Sequence, residues 1–227
     1  MRTTRKAWAR PVPRTVLAAS RRVARSRIFL ISPATAHGAR GRALTAPDAR
    51  TPSALRLHSP DGMPLGAVFR YLSGLYFNGK LAYATTFARP PARLRGAGIQ
   101  IITMTDGLRV PETPTRANDL RRFAAAEQGS DAGRTALERS ARELAGALGS
   151  RCDVILLGSL ATGKYTDVLL PVFGRRLLFP REMLGRGQLD RGALLFRCVR
   201  EERELEYAPV AELSSGLGGG PLAGARP

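Results

Sequence analysis

The sequence predicts an α/β protein with a mostly parallel sheet, helices on both faces of that sheet and a C-terminal antiparallel hairpin. Three short apolar runs, at residues 27–31, 99–104 and 153–157, have the length of buried strands. Segments with apolar residues at helical spacing separate them, and strands that alternate with helices are typical of a parallel sheet. Two further apolar runs, at 193–200 and 204–210, predict the hairpin.

The region after the first strand, residues 35–60, is interrupted by several Gly and Pro residues and is predicted to be rich in loops. A helix is predicted from Pro64, because apolar residues then recur every three or four positions and Pro suits the first helical turn. Asn78 and Gly79 are predicted to end this helix, and residues 81–87 are predicted to form a second, shorter one.

The second half of the chain has clearer helical patterns. A helix is predicted to begin near Thr113, whose side chain can cap it. The clearest helix covers residues 137–148, which have one apolar stripe, and Gly149 ends it. The third strand is followed by a glycine-containing loop and a short helix over 165–173, and a short strand is predicted at 177–179.

The domain is predicted to cover residues 28–213. Residues 1–27 contain nine basic and no acidic residues and are predicted to be a disordered Arg-rich extension. Their composition also fits a targeting segment, a basic arm or translation from a wrongly assigned start codon. Residues 214–227 are rich in Gly and Pro and are predicted to be a flexible tail.

The chain is strongly basic, with 36 basic and 18 acidic residues and a formal net charge of +18. Only Lys6, Lys80 and Lys164 are lysines, and a bias toward arginine is what a GC-rich gene produces without any functional demand. Residues 28–227 contain 27 basic and 18 acidic residues, and this excess of positive charge favours anionic ligands. No apolar run reaches the ~18 residues of a membrane span. The two cysteines show neither metal nor disulfide spacing, which fits a cytoplasmic protein.

The most distinctive motif is Gly-Ser-Leu-Ala-Thr-Gly-Lys-Tyr at residues 158–165. It follows a predicted strand and precedes a predicted helix, where α/β proteins commonly bind ligands. It matches a degenerate phosphate-binding P-loop, in which Tyr165 replaces the Ser or Thr that would hold Mg²⁺. If the glycines only turn the chain from the strand to the helix, the segment binds no ligand. Otherwise it forms an anion or nucleotide site whose predicted ligand-binding residues are Gly158, Ser159, Thr162, Gly163, Lys164 and Tyr165.

In a parallel sheet, the carboxyl ends of the other two predicted strands lie at the same edge as the loop at residues 158–165. Ser32 follows the first strand and is predicted to bind the ligand, and His37 is predicted to act as an acid or base. Asp106 follows the second strand and is predicted to bind a ribose hydroxyl or to transfer a proton. The alternatives are an incidental exposed His37 and an ordinary Asp-Gly turn. A charged turn at residues 186–191 either closes over the ligand or is solvated surface. With two histidines and no paired spacing, no metal site is predicted.

Two short segments resemble the peroxide-stress YaaA-type proteins of bacteria. They are Leu-Ile-Ser-Pro-Ala at residues 30–34 and Leu-Ser-Gly-Leu-Tyr at residues 72–76. This resemblance covers ten residues and implies an α/β body and an association with DNA, but it transfers no catalytic residue. Over its whole length the chain resembles an uncharacterised bacterial family that shares the segment at 158–165.

These observations predict a nucleotide- or nucleic-acid-associated protein that holds a phosphate-like group at residues 158–164. The expected ligand is a nucleotide or a sugar phosphate, nucleic acid is the other expected partner, and the sequence identifies no cofactor. One alternative is a hydrolase or transferase that acts on a nucleoside-like substrate through His37 or Asp106. The other is a non-catalytic DNA-binding stress protein that acts through its basic surface.

Overall fold

The structure is a computed structural model that describes residues 25–126, 131–160 and 163–217. Most of the predicted extension at residues 1–27, the candidate Thr162 and the last ten residues of the predicted tail lie outside the described residues. Within the described residues, the first element begins at Ser26 and the last ends at Leu217.

The strands of the described residues form two sheets. They are β1 (Ser26–Ile31), β2 (Met63–Pro64), β3 (Ile99–Thr103), β4 (Gly107–Arg109), β5 (Pro114–Thr115), β6 (Cys152–Leu157), β7 (Leu177–Pro180) and β8 (Tyr207–Pro209). The main sheet has the strand order β4-β3-β1-β6-β7-β8, and β2 pairs with β5 in a separate antiparallel ribbon. In the main sheet β3, β1, β6 and β7 are parallel, whereas β4 and β8 are antiparallel edge strands.

Helices cover both faces of this sheet. Those in the described residues are α1 (Ala39–Thr45), α2 (Pro52–His58), α3 (Leu65–Leu72), α4 (Leu75–Phe87), α5 (Ala117–Ala126), α6 (Asp131–Leu148), α7 (Thr166–Phe173), α8 (Gln188–Arg200) and α9 (Val210–Leu217). From β1 the chain moves to β3, toward the β4 edge of the sheet. From β3 to β6 and from β6 to β7 it moves in the opposite direction, toward the β8 edge. Because such crossovers are right-handed, α4 lies on one face and α6 and α7 lie on the opposite face. The packing agrees, since α4 contacts α8 and α6 contacts α7.

The structure confirms the predicted α/β class and its parallel strands. The strands predicted at 27–31, 99–104 and 153–157 correspond to β1, β3 and β6. Residues 28–31 and 154–157 are completely buried, as expected for central strands covered on both faces. The helices predicted over 137–148 and 165–173 correspond to α6 and α7, and the strand predicted at 177–179 corresponds to β7.

The C-terminal antiparallel pair is present, but one of its predicted strands is wrong. Residues 193–200 belong to α8, where Leu194 and Cys198 are buried one helical turn apart. The pair is formed instead by β7 and β8, with Phe179 opposite Ala208. A short apolar run does not by itself distinguish a strand from a buried helix, and here packing against α4 selects the helix.

Three predictions about the first half of the chain also differ from the structure. Residues 35–60 contain α1 and α2 rather than loops alone, because Pro52 begins α2 and the Thr51 side chain caps it, accepting a hydrogen bond from the Ala54 N–H at 3.2 Å. Asn78 and Gly79 do not end a helix, since α4 runs through both residues. The break comes earlier, between α3 and α4. The helix predicted near Thr113 begins at Ala117, after β5.

Gly79 has a packing role inside α4. A β-carbon at this position would lie 3.0 Å from the carbonyl oxygen of Gly192 in α8. A β-carbon at Gly192 would in turn lie 3.0 Å from the backbone carbonyl carbon of Leu75. The two glycines therefore allow α4 and α8 to approach closely, which outweighs the cost of about 1 kcal/mol for a glycine in a helix interior.

Candidate functional site

A cavity of about 570 Å³ lies at the carboxyl ends of β1 and β6. Four segments that are distant in sequence form its wall: the end of β1, the junction between α3 and α4, the loop after β6, and the start of α8. In open parallel sheets this edge is where ligands usually bind. The topology therefore places the cavity at the position that the sequence predicts for a site.

Lys80 is the most unusual residue in the wall. It lies on α4 and is only 1% exposed. Its Nζ donates hydrogen bonds to the carbonyl oxygen and to the Oγ of Ser32, both at 2.6 Å. It also lies 4.4 Å from the ring centroid of Tyr76, within the range of a cation–π contact. Lys80 thus joins α4 to the end of the central strand β1.

The environment of Lys80 favours the neutral amine. Burial of the ammonium group and, to a smaller extent, the positive charge of Arg191 together lower the pKa of Lys80 from 10.5 to about 7. Among the described residues of the wall there is no carboxylate to offset these effects. A substantial fraction of Lys80 is therefore uncharged near neutral pH.

Arg191 connects α8 to the loop after β6. Its Nε donates to the carbonyl oxygen of Met183 at 3.0 Å, and its Nη1 donates to the carbonyl oxygen of Gly158 at 3.2 Å. The Tyr76 hydroxyl donates to the same Gly158 carbonyl at 3.4 Å. Burial raises the pKa of Tyr76, and nearby Arg191 partly opposes this shift. One backbone carbonyl thus holds together three of the four wall segments.

The Lys and Arg side chains in the described wall of the cavity have no acidic counterpart there. Its ionisable side chains include Lys80, Lys164, Arg186 and Arg191, and its described residues include no Asp or Glu. These like charges repel one another, and an anion that enters the cavity offsets this repulsion. The electrostatics of the cavity therefore favour a negatively charged ligand.

The structure brings several sequence-predicted residues to this cavity. Those in the wall are Ser32, Ser159, Lys164 and Tyr165. Gly158 contributes the carbonyl oxygen that Arg191 and Tyr76 contact. Gly163 has a φ of 66°, a left-handed conformation that suits glycine, and turns the chain toward α7.

The start of α7 already has a carboxylate beside it. Asp167 lies in the first turn, and a β-carbon at Gly163 would be 2.8 Å from both of its carboxylate oxygens. An acidic side chain at this position interacts favourably with the helix dipole. The positive charge that this loop presents to the cavity therefore comes from the exposed Lys164 side chain.

Neither His37 nor Asp106 is among the described residues that line the cavity. Asp106 lies in the turn between β3 and β4, where its carboxylate accepts a hydrogen bond from Arg122 at 2.5 Å. Its N–H donates to the Thr103 hydroxyl at 3.1 Å, which stabilises the turn. His37 is an exposed residue before α1, and its carbonyl oxygen accepts a hydrogen bond from Arg42 at 2.7 Å. Both residues therefore lie outside the described lining of the cationic cavity.

Lys80 and Tyr76 line the cavity but were not predicted as site residues, although Tyr76 ends the segment singled out at residues 72–76. Both belong to a helix whose apolar neighbours suggest core packing, and nothing local shows that the helix borders a cavity. One signal is available, because Lys80 is a lysine in a chain that otherwise uses arginine almost everywhere. The predicted charged turn at 186–191 does reach the cavity, through Arg186 and Arg191.

Within the described residues, no group of three or more His, Cys, Asp or Glu side chains is placed to hold a metal ion. None of the helices in that part of the chain combines the length and apolar character needed to cross a bilayer. No protein-family model, curated protein or solved structure significantly matches the chain.

Proposed function

We propose that the cavity binds a nucleotide or a sugar phosphate. The observation that carries this proposal is the concentration of cationic side chains in a wall whose described residues include no Asp or Glu. A phosphate group entering the cavity would offset the repulsion among these cations. The cavity volume of about 570 Å³ suits a ligand of this size, because small-molecule sites span roughly 300–1,000 Å³.

The wall offers different chemistry to different parts of such a ligand. Lys164, Arg186 and Arg191 supply charged donors for a phosphate, and arginine can donate two parallel hydrogen bonds to its oxygens. Gln188 supplies a neutral amide for sugar hydroxyls. Phe77 adds an apolar surface on the α4 side. These roles account for both the charge and the mixed polarity of the cavity.

The two segments that resemble YaaA-type proteins meet in this cavity. Ser32 belongs to the first segment, and Ser73 and Tyr76 belong to the second. The resemblance therefore concentrates at the proposed site, although the segments are far apart in sequence. This supports a role for both segments in binding.

A thermal-shift screen of the full chain against nucleotides, nucleosides and sugar phosphates tests the proposal. A ligand at 100 times its Kd stabilises the folded state by about 2.7 kcal/mol, which raises the Tm by roughly 5–10 °C for a chain of this size. Lys164→Ala and Arg191→Ala are each expected to abolish most of this shift, because each removes a donor to the phosphate.

Arg197→Ala is the matched control, since Arg197 is an exposed residue of the same helix as Arg191 and does not line the cavity. It is expected to retain the full shift. A screen without any stabilising anion, or a shift that Lys164→Ala and Arg191→Ala both preserve, would contradict the proposal.

Ligand binding is also expected to take up protons between about pH 7 and pH 8.5. An anion beside Lys80 and Arg191 favours the ammonium form, so it raises the pKa of Lys80 from its lowered value of about 7. Calorimetric titrations in buffers of different ionisation enthalpy measure this uptake directly. Lys80→Met is expected to remove it, and unchanged uptake in that variant would assign the proton to another group.

Nucleic acid is a second candidate partner, because the net charge of +18 is not confined to the cavity. DNA held by surface arginines would bind with an affinity that falls steeply with salt concentration. Such binding would persist in Lys164→Ala, whereas binding of a small ligand in the cavity would not. Measuring the binding of DNA and of the small ligand at several salt concentrations, in the unsubstituted protein and in Lys164→Ala, therefore distinguishes the two partners.

A further inference from the structure

Ser32 and Lys80 are paired in a way that the binding of an anion does not require. The Lys80 Nζ lies 2.6 Å from the Ser32 Oγ, within direct hydrogen-bonding distance. Both residues line the cavity, and Ser32 is 9% exposed, so the pair is largely shielded from bulk water. A hydroxyl beside an amine at the wall of a cavity is the arrangement of an activated nucleophile.

Rigid elements hold both members of this pair. The Ser32 N–H donates to the Leu157 carbonyl oxygen at 3.0 Å, which extends the pairing of β1 with β6 beyond the end of β1. The Lys80 amine is oriented by its second hydrogen bond, to the Ser32 carbonyl oxygen at 2.6 Å. A nucleophile, a base and a group that orients the base are therefore all present.

The surroundings of Lys80 suit a base rather than a fixed cation. Tyr76 lies on its own helix, Arg191 approaches from α8, and Lys164, Tyr165 and Arg186 come from the facing loops. None of these groups is an acid that would hold a proton on the amine by ion pairing near neutral pH. Burial and the charge of Arg191 lower the pKa of Lys80 to about 7, a value at which a base is most effective near neutral pH.

We propose that Ser32 is a nucleophile and Lys80 is its general base, and that the pair hydrolyses a carboxylic ester of an anionic substrate. This inference rests on the proposed function, because the cations of the wall would hold the negatively charged part of the ester. Serine–lysine pairs support acyl transfer on several unrelated folds. Here Ser32 stands at the end of β1 and Lys80 on α4.

The reaction balances in two steps. Lys80 takes the Ser32 hydroxyl proton while Oγ bonds to the ester carbonyl carbon, and the bond to the alcohol oxygen breaks as Lys80 returns the proton to the leaving alkoxide. A water molecule then loses a proton to Lys80 and attacks the acyl group. The carboxylic acid leaves, and the Ser32 oxygen regains its proton from Lys80. Arg191 supplies positive charge in the same cavity for the oxyanion that forms in each step.

A fluorophosphonate probe tests this inference without knowledge of the natural substrate. Attack by the Ser32 Oγ on phosphorus forms an O–P bond and releases fluoride, and Lys80 takes the hydroxyl proton. Intact-protein mass spectrometry of the full chain is expected to show one added phosphonyl group, which peptide mapping should locate at Ser32. Ser32→Ala should abolish the label, and Lys80→Met should slow labelling about 100-fold or more, because general-base catalysis contributes at least about that factor.

Ser59→Ala is the matched control, because Ser59 lies outside the cavity at the end of α2. Its labelling rate is expected to equal that of the unsubstituted protein. The pH dependence in the unsubstituted protein provides a readout that does not depend on how the variants fold. Its labelling rate should rise with pH to a plateau, with a midpoint near the Lys80 pKa of about 7.

Three results would overturn the inference: labelling at a different residue, equal rates with and without Lys80, or absence of labelling in a protein that a phosphate ligand still stabilises. The last result would leave the proposed binding function intact. Conversely, labelling at Ser32 without any stabilising anion in the thermal-shift screen would contradict the proposed binding function and the anionic substrate, and would leave only the nucleophile and its base.

Discussion

The free energy of unfolding is expected to rise by about 2 kcal/mol between about pH 7 and pH 8.5, owing to Lys80 alone. The folded-state pKa of Lys80 is lowered from 10.5 to about 7, so over this range the unfolded chain binds a proton that the folded protein does not. Stability increases with pH wherever the unfolded state binds more protons. The complete penalty, reached below pH 7, is on the order of 5 kcal/mol.

Lys80→Met should remove this pH dependence and stabilise the protein at pH 7. Methionine has a comparable length and carries no charge into the buried position, although the hydrogen bonds to Ser32 are lost. Their loss costs on the order of 1 kcal/mol each, which is less than the penalty for burying the charge. Urea unfolding followed by circular dichroism at several pH values measures both effects. Such a gain in stability on removing a buried group is typical of a residue retained for function.

Lys164→Met is the matched control, because it removes the exposed lysine of the same cavity and should keep the rise with pH. Measurements should stop near pH 8.5, because the cysteines and then the tyrosines contribute above it. Burial raises the pKa of Cys152 from 9.0 to about 11 and also raises that of Cys198, so the unfolded thiols lose their protons first and oppose the rise. Burial raises the pKa of Tyr83 to about 12, so unfolded tyrosine loses its proton first and stability falls above about pH 10. A flat profile in the unsubstituted protein, or a rise that Lys80→Met retains, would show that Lys80 keeps its charge when folded.

Gly79→Ala and Gly192→Ala are each expected to destabilise the protein by about 1–3 kcal/mol and to weaken ligand binding. A new β-carbon at Gly79 would meet the Gly192 carbonyl oxygen at 3.0 Å, and one at Gly192 would meet the backbone of Leu75 at the same distance. The contacts involve backbone, so α4 and α8 must separate. Lys80 directly follows one glycine and Arg191 directly precedes the other, so the separation displaces both residues of the cavity.

Gly146→Ala is the control for helix propensity. Gly146 lies on α6, and a β-carbon there would meet no atom within 4 Å. This variant should therefore gain roughly 0.5–1 kcal/mol from the better helix propensity of alanine. Urea unfolding and the thermal-shift response of all three variants provide the comparison. If the α4 and α8 variants gain stability as Gly146→Ala does, the close contact between these helices does not position the site.

The parts of the fold that were predicted correctly are those with a local cause. The central strands β1, β3 and β6 are short apolar runs because both of their faces are buried. Helix α6 has an apolar stripe because only one side of it packs on the protein. The segment at 193–200 has no such unambiguous pattern, and its helical state depends on α4, which is distant in sequence.

The same distinction applies to the candidate site. The sequence alone predicts that Ser32 and Lys164 follow strands of a parallel sheet, and adjacent parallel strands, as β1 and β6 are, place their carboxyl ends at one edge of the sheet. Only the tertiary structure decides that Lys80 joins them and that Asp106 pairs with Arg122 instead. Burial and the field of Arg191, which together change the chemistry of Lys80, arise from segments that meet only in the folded chain. Local sequence therefore determines which edge of the sheet carries the site, whereas long-range packing decides which side chains it contains and how they are charged.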